Sequence, residues 1–254
     1  MAAAVVVAFL QPIPQPQAYH NFADQRTIFG VSHGFDVLSN LAFLVPGLLG
    51  LWFVLKAGLT LDAGTRWAFA TLFFGLVLTS LGSAYYHLEP DNQRLVFDRL
   101  PMIIAMSGCV GAVVADRLGG ATAWCLAGLI AIGLWTVHQW SVSEQLGRGD
   151  LRWYALYEGL IICVGALLLW LFPSRNGATP AFVIAVAGNV AAKVFEVLDK
   201  PIYGADGIVS GHTLKHLSAG LAFLPLVLLI QRIGKDRMVD DTHRPDLVSA
   251  GSGR

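Results

Sequence analysis

Long apolar stretches separated by short runs of Arg, Lys, Asp, Pro or Gly dominate the chain. They fall at about 38–56, 67–87, 96–116, 121–138, 153–172, 180–198 and 208–231. A helix needs roughly 20 such residues to cross the hydrocarbon core of a bilayer. Helix is required there because unpaired backbone N–H and C=O groups are not tolerated in hydrocarbon. The pattern therefore predicts an all-α polytopic membrane protein, a bundle of about seven transmembrane helices. The fourth stretch is short and closes on His138 and Gln139.

What remains outside the spans is small. The reading is a single transmembrane domain over 1–234, with a short N-terminal interfacial segment at 1–37, helices at about 38–231 and a disordered polar tail at 235–254. Ala2 to Leu10 is apolar but too short to span, and it lacks the cationic start of a signal peptide, so it reads as an interfacial or partial helix. Lys and Arg are nearly balanced between the two sets of loops. A slight excess from Arg232, Lys235 and Arg237 favours a cytoplasmic C-terminus.

Composition agrees. Hydrophobic residues make up 55% of the chain and charged residues only 13%, so its solvent is largely lipid. Lys plus Arg and Asp plus Glu are equal at 17 each, which provides no basic field for nucleic acid. Cys109, Cys125 and Cys163 lie in apolar runs without paired spacing and read as small buried hydrophobes.

The ionisable residues change the picture. As the helices alternate in direction, His87 ends the second, Asp98 opens the third, Glu196 and Asp199 end the sixth and His212 opens the seventh, all on one side of the membrane. His138 and Glu158 fall on that side too, whereas the opposite loops show only scattered surface charges. Ionisable groups in spanning helices are costly, so they face the bundle interior and serve a function. Ser83 and His87 stand at i and i+4, as do His212 and His216, so each pair shares a helical face. Two histidines one turn apart and a third from a facing helix make a three-nitrogen zinc site that keeps a position for water. Soluble zinc proteases with a related helical pair place a glutamate beside the first histidine. Here Thr213, Leu214 and Lys215 intervene, so the base must come from another helix. Asp98 is the candidate, and Ser83 could hydrogen-bond the water or the developing oxyanion.

Plainer readings stand beside these. His138 taken alone reads as a helix-to-helix hydrogen-bonding residue. His20 and His33 lie outside the spans and need no special role. Ser83 could bond back to a helix carbonyl, and Asp98 could pair with Arg94 or Arg99. Glu196, Asp199 and Lys200 read as interfacial charges, and Trp124, Trp135, Trp140, Trp153 and Trp170 as interface anchors or lipid-facing bulk. Two rival functions fit the same histidines: a haem-binding membrane electron carrier, and a lipid-sensing receptor in which zinc is a structural staple.

Three motifs, in this order, carry a resemblance: Ser83-Ala-Tyr-Tyr-His87, Asp98 in Phe-Asp-Arg-Leu-Pro-Met, and Gly211-His212-Thr-Leu-Lys-His216. Together they resemble the alkaline ceramidase family, within the seven-helix membrane hydrolases that also include adiponectin-receptor-like proteins. Tyr19-His-Asn-Phe-Ala-Asp-Gln-Arg26 and Asp36-Val-Leu-Ser-Asn40 are similar to its bacterial-type branch. The resemblance implies zinc on His87, His212 and His216, with Ser83 and Asp98 as catalytic partners. It also implies cleavage of a ceramide-like membrane lipid to a sphingoid base and a fatty acid, in a bacterial inner membrane. Animal and yeast members carry an acidic calcium-binding cluster before the first helix. Here that stretch offers Asp24 and Asp36, with His33 where a glutamate would be expected, which weakens any expectation of Ca2+.

Overall fold

The computed structural model describes residues 7, 9–57, 61–119 and 122–242, with the side chains of 122–124, 206 and 237–242 excepted. The elements formed by the described residues are helices; there is no strand among them, only an isolated bridge between Ile28 and Val31. Seven helical segments are long and apolar enough to cross a membrane, and the chain is an integral, multi-pass membrane protein. They run Gly34–Lys56, Ala63–Leu88, Asn92–Arg117, Cys125–Gln145, Arg152–Leu171, Thr179–Val197 and Gly211–Asp236, and are numbered as the first to seventh spans.

Two limits differ most from the sequence reading. The fourth span does not close at His138 but continues to Gln145. The final helix likewise runs to Thr242, past the Lys235 at which the polar tail was expected to begin. The rest of that tail, 243–254, and residues 1–6 and 8 of the expected N-terminal helix lie outside the described residues.

Local chemistry sets the helix starts. Asp62 accepts from the Thr65 amide at 2.9 Å, Asp91 from the Arg94 amide at 2.7 Å and Ser210 from the Thr213 amide at 2.9 Å, satisfying N–H groups that a helix leaves open. The seventh span is interrupted at Ala222–Phe223 between helices Gly211–Leu221 and Leu224–Thr242. Pro225, which has no N–H to donate, follows immediately. Between the sixth and seventh spans, the short helix Asp199–Asp206 ends on Gly207 in the left-handed region.

Lipid offers no hydrophobic drive for helix association, so close packing must supply it, and small residues sit at the seams. The second and third spans form the most extensive pair. A Cβ on Gly108 would lie 2.2 Å from the Leu72 nitrogen, and one on Gly75 would lie 2.4 Å from the Ala105 nitrogen. Large apolar side chains such as Trp52, Leu55, Trp67, Trp170 and Leu228 face outward, where hydrocarbon would receive them.

Both ends of the bundle carry buried polar groups, which corrects the expectation of mere surface charges opposite the histidines. There, Asp116 accepts from Ser174 Oγ at 2.7 Å and from the Asn176 amide and side chain at 3.0 Å each, while Arg117 donates to Thr179 Oγ1 at 2.8 Å. Loop groups use up the carboxylate, so this knot is a structural tie.

Candidate metal centre and its cavity

His87 lies in the last turn of the second span, and His212 and His216 in the first two turns of the seventh. Two carboxylates fix the start of the seventh span, Asp199 from the short helix before it and Asp36 from the first span. Asp199 Oδ1 accepts from the His212 amide at 2.8 Å, and Asp36 Oδ1 accepts from Ser210 Oγ at 3.0 Å and Thr213 Oγ1 at 2.8 Å. Gly211 permits the approach, since a Cβ there would stand 2.3 Å from the Phe195 carbonyl oxygen. Asp199 is therefore a positioning group rather than the interfacial charge expected.

The three imidazoles converge. Each offers a nitrogen within 4.8 Å of the others, all three residues are buried, and no other group of His, Cys, Asp and Glu among the described residues has this geometry. His87 Nε2 and His212 Nε2 stand 3.2 Å apart. Two nitrogens bound to a tetrahedral zinc at about 2.0–2.1 Å would be separated by about 3.3 Å. The His216 ring is held from behind: its Nδ1 lies 2.8 Å from Ser39 Oγ and 3.1 Å from the Asp36 carbonyl oxygen. A carbonyl can only accept, so Nδ1 carries the proton and Nε2 keeps its lone pair for a metal. The residues present fit a divalent ion with nitrogen preference. They fit a haem poorly, because nitrogens 3.2 Å apart leave no room for a macrocycle between the rings.

Ser83 and Asp98 come to the same place. Their side chains are within hydrogen-bonding reach of each other, and both line a cavity of about 300 Å³ that His216 also borders. Neither suggested arginine pairs with Asp98: Arg94 binds Glu89, and Arg99 donates to Gln15 Oε1 at 2.7 Å. The cavity is amphipathic. Leu76, Met102, Ala105, Met106, Ala219 and Phe223 form its apolar part, whereas Tyr19, Arg99, Tyr154, Glu158, Lys193 and Lys215 form its polar part.

The N-terminal segment closes the polar end. Phe22 packs its ring 4.6 Å from that of His87 and 4.3 Å from that of His212. Ala23 donates its amide to Asp199 at 2.9 Å, and Tyr19 donates its hydroxyl to Glu196 at 3.3 Å. Burial pushes the Tyr19 phenol up, despite the positive charge of Lys215, so it stays a donor. His20, expected to need no role, is 2.8 Å from both Tyr86 Oη and Asn92 Oδ1 and anchors the segment.

Other expectations change as well. Glu196 is not a simple interfacial charge, for it binds Lys215 at 2.6 Å and Lys193 at 3.0 Å. Trp140 is fully buried, unlike the exposed Trp135 and Trp170, and its indole donates to Glu144 at 3.1 Å; the Trp124 side chain is outside the described residues. His138 is exposed and bonds no neighbouring helix among the described residues. Asp24, one of the two acidic residues in the stretch where calcium binding was weighed, is bound by Arg26 at 2.7 Å. The sequence reading gives Ser39 and Phe22 no role; the signal is their place in the segments Tyr19–Arg26 and Asp36–Asn40, which carry part of the resemblance.

No protein-family model matches the chain, and no curated protein matches it significantly.

Proposed function

We propose that this protein is a zinc-dependent intramembrane amidohydrolase of the alkaline ceramidase type, cleaving a ceramide-like lipid to a sphingoid base and a fatty acid. One observation carries the reading: three buried imidazoles converge, and one of them, His216, borders an amphipathic cavity whose wall also bears Ser83 and Asp98. A zinc ion on His87, His212 and His216 would supply Lewis acidity, making water a better nucleophile and a carbonyl a better electrophile.

The chain's own residues account for the rest. The apolar part of the cavity takes the acyl chain and the polar part takes the head, which sets the amide at the level of Ser83 and Asp98. Asp98 accepts a proton as water adds to the carbonyl carbon and returns it to the nitrogen as the C–N bond breaks. Ser83 donates to the oxyanion in between. Phe22 and its segment keep bulk water from the imidazoles on the far side, which strengthens these charge interactions.

The slight C-terminal excess of Arg and Lys favours a cytoplasmic C-terminus. With seven spans, that orientation would give the histidine end the outer side of the membrane, a bacterial inner membrane on the ceramidase-type reading.

Metal analysis joined to product release provides the test. Purified protein should carry about one zinc per chain, the coordination expected of a three-histidine site, and should release fatty acid from an N-acyl lipid panel. His216→Ala should lose both while still inserting in the membrane. Hydrolysis retained by a metal-free chain would overturn the assignment. Bound zinc with no hydrolysis of any amide or ester would favour a lipid sensor.

A further inference from the structure

Of the three cations that line the cavity, Arg99, Lys193 and Lys215, only Arg99 has no carboxylate partner among the described residues. Arg99 is only 6% exposed. Its guanidinium lies over the Trp140 ring at 4.1 Å and over the Tyr154 ring at 4.7 Å. One amino group, Nη2, reaches Gln15 Oε1. The other, Nη1, is buried without a hydrogen-bond partner among the described residues, and Arg99 lines the cavity beside Asp98. Two aromatic faces and an amide thus hold a charged fork rigidly at the polar end.

A buried donor on a charged group is costly to leave unmade, and the neighbouring groups do not supply its acceptor. Lys193 and Lys215 are already bound by Glu196. Glu158 accepts from Tyr154 Oη at 2.8 Å, and Asp98 is engaged with Ser83. The two lysines share the Glu196 carboxylate, whereas Arg99 contacts none among the described residues, and a fork with one open amino group suits a ligand with a single negative charge. A dianionic phosphate would face Asp98 and Glu158 with too little compensation.

We infer that Arg99 reads the head group, and that the preferred lipid bears one carboxylate on the amine side of its amide, as an N-acyl amino acid does. The inference rests on the amide-hydrolase reading and departs from it in the amine half of the substrate, placing such lipids ahead of neutral ceramide. The acyl chain enters the apolar part of the cavity, so the amine half of the lipid faces the polar end where Arg99 stands. Its carboxylate then accepts from Nη1, a charge-assisted bond that an uncharged head group cannot match.

The test compares N-oleoylglycine, its methyl ester and a ceramide as substrates of the full-length protein. Wild type should favour the free acid over the ester by about tenfold or more in kcat/KM, the effect of losing one hydrogen bond between charged groups. Arg99→Gln should narrow that ratio to about twofold or less, and Arg99→Lys should keep part of it, since a point charge replaces a fork. Equal wild-type rates on acid and ester would overturn the proposal while leaving the hydrolase intact, and this arm needs no variant to fold. The proposal falls in the same way if the acid has no advantage but oleate inhibits wild type and not Arg99→Gln, because Arg99 would then serve the product. If nothing is hydrolysed, Arg99-dependent binding of N-oleoylglycine over its ester would uphold the carboxylate site while the hydrolase reading fails.

Discussion

Ser39 Oγ sits 2.8 Å from Nδ1 of His216 and itself donates to the Asp36 carbonyl at 3.0 Å. The first span thereby orients a ring belonging to the seventh and sets its tautomer. Ser39→Ala should weaken metal affinity by about 10–100-fold, the usual effect of losing a partner behind a ligand. Equilibrium dialysis against zinc buffers measures this, and helix content by circular dichroism should not change. Unaltered affinity would mean that the Asp36 carbonyl suffices.

Phe22 covers two imidazoles from the aqueous side. Phe22→Ala should cost about 3 kcal/mol of stability as a cavity opens and should speed metal stripping by a chelator. A chelation time course on the full-length protein checks the second effect. A rate equal to wild type would show that metal exchange uses another route.

Gly108 lies against the second span's backbone, whereas nothing stands within 4 Å of a Cβ on Gly128. Gly108→Val should destabilise the bundle by about 1–3 kcal/mol or more through overpacking, and Gly128→Ala should leave it close to wild type. Thermal aggregation midpoints in detergent decide between them. Equal midpoints would contradict the packing described for the second and third spans.

Asp24 is the pH-sensitive tie of the N-terminal segment. Burial alone would raise its carboxyl, but the hydrogen bonds and charge of Arg26 overcome this and hold it below the ordinary range. A lowered carboxylate contributes stability above its unfolded pKa, about 4, and that contribution is lost as the pH falls through the lower folded value. Proteolysis of the segment should therefore accelerate on acidification below about pH 4 in wild type. Asp24→Asn should show the faster rate at neutral pH already and lose the acid dependence.

Much of the site was legible in the chain because its elements are local. His212 and His216 share a helical face by spacing alone, and Ser83 and His87 do likewise. That these pairs lie at one end follows from alternation of direction, which the bilayer imposes on successive spans. Arg99 and Trp140 show the limit. Arg99 reads as a candidate partner of Asp98 and Trp140 as an interface anchor or lipid-facing bulk, yet they stack in the interior, where the fourth span continues to Gln145. Glu196 is a similar case, read as surface charge until Lys215 of the next span met it.

The sequence by itself determined the number of spans, their helical state and the side on which the reactive residues gather, since lipid leaves a backbone no other way to satisfy its polar groups. The tertiary structure alone decided which side chains support the histidines and that Arg99 keeps one amino group without a partner among the described residues. Contacts such as Ser39 with His216, Phe22 with His212 and Arg99 with Trp140 join residues far apart in the chain. They depend on helix rotation and close approach, which small residues at the seams permit and hydrophobic periodicity does not encode.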